Sequence, residues 1–274
     1  MVRAGTLYVV STPIGNLGDL SVRAVETLRS VAAVLAEDTR HSRPLLDRFE
    51  VRTPLVAHHE HNEAKRTPAL VARLVAGESF ALISDAGTPL LSDPGARLVH
   101  AAIEAGVPVS PVPGASALLA ALVGSGIAAD RFTFYGFLPR KGRERAALLA
   151  EIARSAHAAV IYEAPPRVGD TLAELAAAGA GERPAAVARE LTKQFEEFRR
   201  GTVSSLAGSY ETEAPRGEVV LVVGGAPEVA PDEDALRGKA HALRADGVSA
   251  RDVVRVLVEQ EHAPRNLAYR LAHE

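Results

Sequence analysis

With 274 residues, 47% of them hydrophobic, the chain is too apolar for disorder and long enough for two modest domains or one large one. Aromatics make up only 4% with no Trp, so a core must rest on Ala, Val and Leu; the absence of Cys excludes disulfides, thiolate metal sites and a Cys nucleophile. A formal charge of −3 argues against a long track of naked nucleic acid and makes any such contact local; no apolar run reaches membrane-spanning length, and MVRAGTLYVV enters a strand-like run rather than a signal peptide, so a cytoplasmic protein is expected.

Strand-like runs at 6–11, 31–38, 54–59, 80–84 and 107–114 alternate with helical patterns. Val22, Val25 and Leu28 recur at helical spacing, and 69–77 is an amphipathic helix stopped by Gly77. Asp93-Pro94 reads as the cap and first turn of a helix running to Gly106, and 115–123 as another helix. Further strands are expected at 132–137, 158–165, 184–192 and 217–225, with a short strand and a helix inside FEEFRRGTVSSL. Interleaved strands and helices predict parallel sheets covered on both faces. A hinge near 113–131 would give two α/β domains, 1–114 and 115–225; a Pro- and acid-rich joint, 226–234, then leads into a helical appendage, making 226–274 the third part.

Three motifs carry less than they promise. GSGIAA (124–129) fits a dinucleotide fingerprint but follows a helix rather than a strand, so a helix cap and turn is the better reading. HHEH (58–61) reads as an extended, polar strand end lining a cleft, because successive side chains of such a segment face opposite ways; no metal is expected. RKGRER (140–145) is either a solvated loop and helix start or a phosphate-contacting patch.

Four strand ends are rich in turn residues: STPIGN (11–16), SDAGTP (84–89), VPGAS (112–116) and YEAPPR (162–167). Gly and Pro there free backbone amides and carbonyls to face a ligand, and in open α/β sheets ligands sit beyond the carboxyl ends of strands. Neither a Walker pattern nor a G-x-S-x-G elbow is present, so a ligand held by carbonyls, small side chains and apolar contacts fits better than a triphosphate.

In this order TPIGNLGDLSVRAVETL, AEDTRHSRPLL, HHEHNE, LISDAGTPLLSDPG, PVPGASA, GFLPRKGRER, YEAPPR and ARELTK resemble the small-subunit rRNA methyltransferase I family of the tetrapyrrole methylase, or class III methyltransferase, superfamily. The resemblance spans essentially the whole chain. It implies two α/β domains with S-adenosylmethionine in the cleft between them, a homodimer, and 2′-O-methylation of a cytidine in the decoding region of 16S rRNA within the small ribosomal subunit. It also implies cofactor contacts from Pro13, from Asp85, Gly87, Thr88 and Leu91 in the second turn, where Thr88 replaces the superfamily's Asp, and from Ser116 and Ala117. Tyr162, Glu163, Leu191 and Glu218 would surround the adenosine, while Asp93 would serve only as a helix cap. A ribose hydroxyl is a weak nucleophile, so a base or a cation beside it should help. Glu37 and Asp38 are candidate proton acceptors, Arg40 an electrostatic or phosphate partner, and Lys193 a group that lowers the hydroxyl's pKa; Glu37–Arg40 as an internal ion pair supporting a strand end is the alternative. A tetrapyrrole-like acceptor and a non-catalytic ribosome assembly factor are the competing functions.

Overall fold

The computed structural model describes residues 5–128, 130–227, 232–261 and 263–274. The first five strands, β1 (Leu7–Val10), β2 (Ala33–Ala36), β3 (Leu55–Ala57), β4 (Phe80–Ile83) and β5 (Val109–Val112), form a wholly parallel sheet ordered β3-β2-β4-β1-β5. β2 and β4 are buried at every position, as strands covered on both faces must be. Their alternation splits the core: Val34 and Ala36 pack with Leu28, Leu46 and Ile83 on one face, Ala33 and Leu35 with Leu74, Phe80 and Leu98 on the other. The covering helices are α1 (Val22–Ser30), α2 (Thr39–Arg48), α3 (Glu60–Val75) and α4 (Ala96–Glu104). Ser21 caps α1 by accepting a hydrogen bond from Ala24 N at 3.1 Å.

Three local expectations are corrected here. α3 begins at Glu60, so HHEH is a strand end running into a helix rather than an extended segment: His58 is fully buried and His59 sits at the helix N-terminus. α4 begins at Ala96 with Gly95, not Asp93, in the cap position at φ 118°. RKGRER is not uniformly a surface patch, because α6 (Arg143–Arg154) buries Arg145.

The second sheet, ordered β6-β7-β10-β8-β9, is mixed rather than parallel. β6 (Phe132–Phe137) and β7 (Ala158–Glu163) are parallel, but β10 (Val219–Val223) runs antiparallel to both β7 and β8 (Pro184–Arg189), and β8 pairs antiparallel with β9 (Glu197–Thr202). The connection from Arg189 to Glu197 is too short for the crossover that a parallel pair demands. α6, α7 (Val168–Leu175) and α8 (Val203–Ser209) contribute to the core on one face around Ile161, Val187 and Leu221. α5 (Ala117–Ser125) covers the other face, packing Leu118 and Leu122 onto Val160, Ala188 and Val222.

Both sheets belong to one compact unit, Met1–Ala226; Pro227–Glu274 is another. The latter holds α9 (Glu233–Ala245), α10 (Ala250–Glu259) and α11 (Arg265–Leu271) around Leu236, Val253, Leu257 and Leu271. Residues 228–231 of the Pro-rich joint lie outside the described residues, as does Ala129 of GSGIAA. No described helix is long and apolar enough to cross a membrane.

Candidate active site

The ends of β1, β4 and β5 are tied together by their own turns. Thr12 and Gly87 exchange backbone hydrogen bonds (Thr12 N to Gly87 O at 2.8 Å, Gly87 N to Thr12 O at 3.1 Å), and the Thr12 hydroxyl donates to Ser84 O at 3.2 Å. Thr88 Oγ1 donates to Ala115 O at 3.1 Å, which leaves the Ser11 hydroxyl, 2.9 Å away, to donate to Thr88. Here Thr88 works as a tie between loops. A Cβ on Gly87 would lie 3.1 Å from Ile14 Cγ2, and its φ of 82° is left-handed, so both space and backbone demand glycine.

Beyond these turns lies a cavity of about 450 Å³, within the usual range for small-molecule sites. From the first sheet's loops it is lined by Ile14, Glu37, Asp85, Gly87, Thr88 and Leu91, with Ala86, Ser92 and Asp93; from the second by Tyr162, Glu163, Leu191 and Glu218, with Phe137, Gly217 and Val220; Ser116 and Ala117 open α5 beside it. Four of the five non-glycine residues with left-handed φ among the described residues are in its loops: Leu90, Ser92, Glu190 and Thr192. Backbone held in such conformations costs free energy and tends to gather at ligand clamps.

Of the sequence-predicted residues, Pro13, Asp38, Arg40 and Lys193 are not on the cavity wall. Pro13 is buried. Asp38 caps α2, accepting from Arg40 N at 2.8 Å, and its carboxylate pairs with the Arg40 guanidinium at 2.7 Å; the Arg40 side chain is 90% exposed. Hydrogen bonds from the Arg40 side chain and backbone hold the Asp38 carboxyl far below the usual range, which makes it a poor proton acceptor. An ion pair does form at this strand end, but it joins Asp38 to an exposed Arg40 at the start of α2 and is not the internal Glu37–Arg40 pair expected from the sequence. Lys193 is clamped at the rim between Glu190 Oε1 (2.9 Å) and Glu218 Oε2 (3.0 Å). Burial pulls its pKa down, but the hydrogen bonds and the charges of the two glutamates together outweigh it and leave it raised, so Lys193 stays a paired cation.

Glu163 touches the cavity yet is occupied behind it. Its buried carboxylate accepts from Thr171 Oγ1 (2.7 Å), Ala164 N (2.8 Å) and Arg167 Nη2 (3.3 Å), with Arg145 Nη1 at 4.0 Å. This network fixes the YEAPPR turn, and so the wall formed by Tyr162, Ala164 and Pro165. Tyr162 Oη accepts from Leu118 N at 3.2 Å, joining β7 to α5, and its ring meets Phe137 edge-on at 5.6 Å.

Sequence reasoning missed Asp93 and Phe137. Asp93 was obscured by its cap-like neighbour Pro94; Phe137 carried no motif beyond its place at the end of β6, where the strand bulges before Gly136. Asp93 joins Glu37 and Asp85 to make the first-sheet wall acidic. Burial, then Glu37 and Asp85, push the Asp93 carboxyl up to about 6, and burial followed by Asp85 raises Glu37. Among the described residues no group of three or more His, Asp or Glu is arranged to hold a metal.

Residues 6–207 match the tetrapyrrole (corrin/porphyrin) methylases. The chain belongs to that family. Curated relatives include proteins named ribosomal RNA small subunit methyltransferase I from Synechocystis, 47% identical over 98% of both chains, and from Bacillus subtilis, 40% identical over 98% of this chain and 94% of the relative. A uroporphyrin-III C-methyltransferase from Thermus thermophilus, solved with S-adenosylhomocysteine, shares the fold at TM-score 0.56 and 21% identity, covering 80% of this chain and 96% of that one. Diphthine synthase superposes at TM-score 0.60 with 15% identity over 80% of this chain and 89% of its own.

A tetrapyrrole-methylase-family enzyme of this kind is an S-adenosylmethionine-dependent methyltransferase, and the cavity fits that cofactor. The cofactor supplies an electrophilic methyl on a sulfonium. Glu37 and Asp85 give the site negative potential that favours a cation, Gly87 permits close backbone approach, and Leu91, Ala117, Leu191 and Val220 offer apolar surface.

Proposed function

We propose that this chain methylates the ribose 2′-oxygen of a cytidine in the decoding region of 16S rRNA, in the cytoplasm and on the small ribosomal subunit. One observation carries the reading: kinship with proteins named ribosomal RNA small subunit methyltransferase I extends over 98% of the chain, past residue 207 and through the three C-terminal helices. The uroporphyrin-III enzyme covers only 80%. Pro13, Asp85, Gly87, Thr88, Leu91, Ser116, Ala117, Tyr162, Glu163, Leu191 and Glu218 hold or frame the cofactor in this reading. Arg140, Lys141 and Arg143 are exposed beyond the end of β6 and supply local phosphate contacts despite the net charge of −3.

The C-terminal helices act as the subunit-docking module. Arg265, Asn266 and Tyr269 are exposed, whereas Arg270 is engaged with Glu233 at 2.8 Å. A chain ending at Ala226 is expected to bind S-adenosylmethionine within a few-fold of the intact protein, with a raised KM for small subunits and a shallower salt dependence of binding. Calorimetry and methyl-transfer kinetics read the two effects; wild-type KM in the shortened chain would remove the docking role.

The enzyme acts as a homodimer. α5 is apolar all round yet leaves Leu119 and Val123, one turn apart, 51% and 78% exposed, a combination expected of a face that meets another copy. Val123→Asp is expected to shift the mass seen by light scattering from dimer to monomer; a monomeric wild type would contradict the assignment.

A further inference from the structure

The loop from Asp85 to Gly95 does more than cradle a cofactor. Leu90 (φ 74°) and Ser92 (φ 69°) both take left-handed backbone, and this winding carries Asp93 to the cavity wall, two residues before the Gly95 cap position of α4. No element of the fold uses Asp93 as a cap. The charged groups acting on it are two carboxylates, Glu37 from the end of β2 and Asp85 from its own loop, while the Ser84 hydroxyl donates to Gly87 O at 3.2 Å. Across the cavity the Tyr162 phenol faces it from β7. A half-buried carboxylate beside two others, with no cation among the described residues acting on it, is costly to keep, and such a cost is retained where function needs it.

The three carboxylates are not equivalent. Asp85 Oδ1 accepts from Asp38 N at 3.1 Å, which commits it to holding the β2 and β4 loops together. Glu37 lies near the His59 imidazole, which works against the rise in its pKa. Asp93 lies on the loop that meets the other sheet: a Cβ on Gly136 would stand 3.0 Å from Ser92 Oγ, and Phe137, the next residue, presents a 61% exposed ring on the wall of the same cavity. An exposed aromatic face at the mouth of a site is a usual platform for a splayed-out base.

We propose that Asp93 is the proton acceptor for the attacking ribose hydroxyl. The inference rests on the ribose-methylating function proposed above. As the hydroxyl oxygen forms its bond to the sulfonium methyl carbon, the carbon–sulfur bond breaks with its electron pair passing to sulfur, and the hydroxyl proton passes to an Asp93 carboxylate oxygen, from which water removes it after product leaves. Charge balances: a sulfonium and a carboxylate become a thioether and a carboxylic acid. With its pKa near 6, Asp93 is mostly ionised at neutral pH and more basic than an ordinary aspartate, the compromise that general-base catalysis favours.

The sign of the linkage gives a readout independent of activity. A carboxyl whose folded pKa lies above its unfolded one makes the folded state bind more protons between the two values, so folding stability falls as pH rises through that window and stays reduced above it. Removing the charge therefore relieves the cofactor-free protein at neutral pH.

The test compares wild type, Asp93→Asn and Asp93→Glu by single-turnover methyl transfer to small subunits across pH 5–9, by calorimetry with S-adenosylmethionine, and by thermal melting. Asp93→Asn is expected to lose roughly 10²–10⁴ in rate and the acid limb near pH 6, to bind cofactor within a few-fold, and to melt higher than wild type at neutral pH. Asp93→Glu keeps part of the rate and the acid limb. Full activity in Asp93→Asn beside an active wild type overturns the assignment of Asp93 alone, as does parallel loss of rate, cofactor affinity and melting temperature. A folded, cofactor-binding wild type that transfers no methyl to small subunits overturns the substrate reading, and this assignment with it.

Discussion

Glu163→Ala is expected to destabilise the protein by roughly 3–5 kcal/mol, the range for breaking a buried ion pair from one side. Its carboxylate is 0% exposed and Arg145 only 7%, so deletion strands Arg145 and Arg167 with less compensation and removes the acceptor for Thr171 Oγ1 at 2.7 Å. Glu174 at 2.6 Å from Arg145, and Leu138 O at 2.9 Å from Arg167, retain part of the network, which places the loss in this range rather than above it. Thr171 and the Ala164 amide donate to different oxygens of Glu163, so Glu163→Gln keeps an acceptor for only one of them and loses the charge, while still filling the space; its loss should be intermediate. Urea denaturation of all three proteins measures the difference; a Glu163→Ala change below about 1 kcal/mol would mean that the arginines find other partners. Cofactor affinity should fall too, because the same carboxylate holds the turn that carries Ala164 and Pro165 on the cavity wall.

Ser116→Leu is expected to weaken S-adenosylmethionine binding by roughly 10–100-fold, the equivalent of the 1–3 kcal/mol that overpacking a fitted site costs. Ser116 lies where α5 opens onto the cavity, and three added carbons have the ligand volume in front and the Tyr162–Leu118 bond behind. The substitution also removes a cap, since Ser116 Oγ accepts from Leu119 N at a long 3.5 Å. Ser116→Ala separates the two effects: it should lose a little stability and leave affinity within a few-fold. Calorimetry on both variants decides; normal binding by a folded Ser116→Leu would move the cofactor elsewhere.

What the sequence disclosed, it disclosed through continuity. Each buried strand of both sheets stood out as an apolar run, and the turn residues after β1, β4, β5 and β7 marked the cavity before any geometry was known. Proline obscured the helices: Pro44 lies inside α2, which went unread, and Pro68 inside α3 shortened the helix expected there. Strand direction in the second sheet depends on which strand enters beside which, and β10 comes from far along the chain to lie between β7 and β8. Asp93 failed for a local reason, since Asp-Pro is a good helix opening and only the left-handed Ser92 and the Gly95 cap position move it to the cavity. Glu163 matched a cofactor position by motif, but its buried partners Arg145 and Thr171 come from two other helices and left no trace in the spacing. Asp38 and Arg40 matched a pattern of catalytic residue types, and in the fold they pair with each other at the start of α2, with the Arg40 side chain exposed.

The most direct measurement is methyl transfer from labelled S-adenosylmethionine to isolated small ribosomal subunits, with the modified nucleotide mapped and its ribose tested for resistance to alkaline cleavage. The account predicts one methyl per subunit, on the 2′-oxygen of a cytidine in the decoding region. A methyl placed on a base, on a tetrapyrrole offered in competition, or on neither by a protein that binds the cofactor would contradict it.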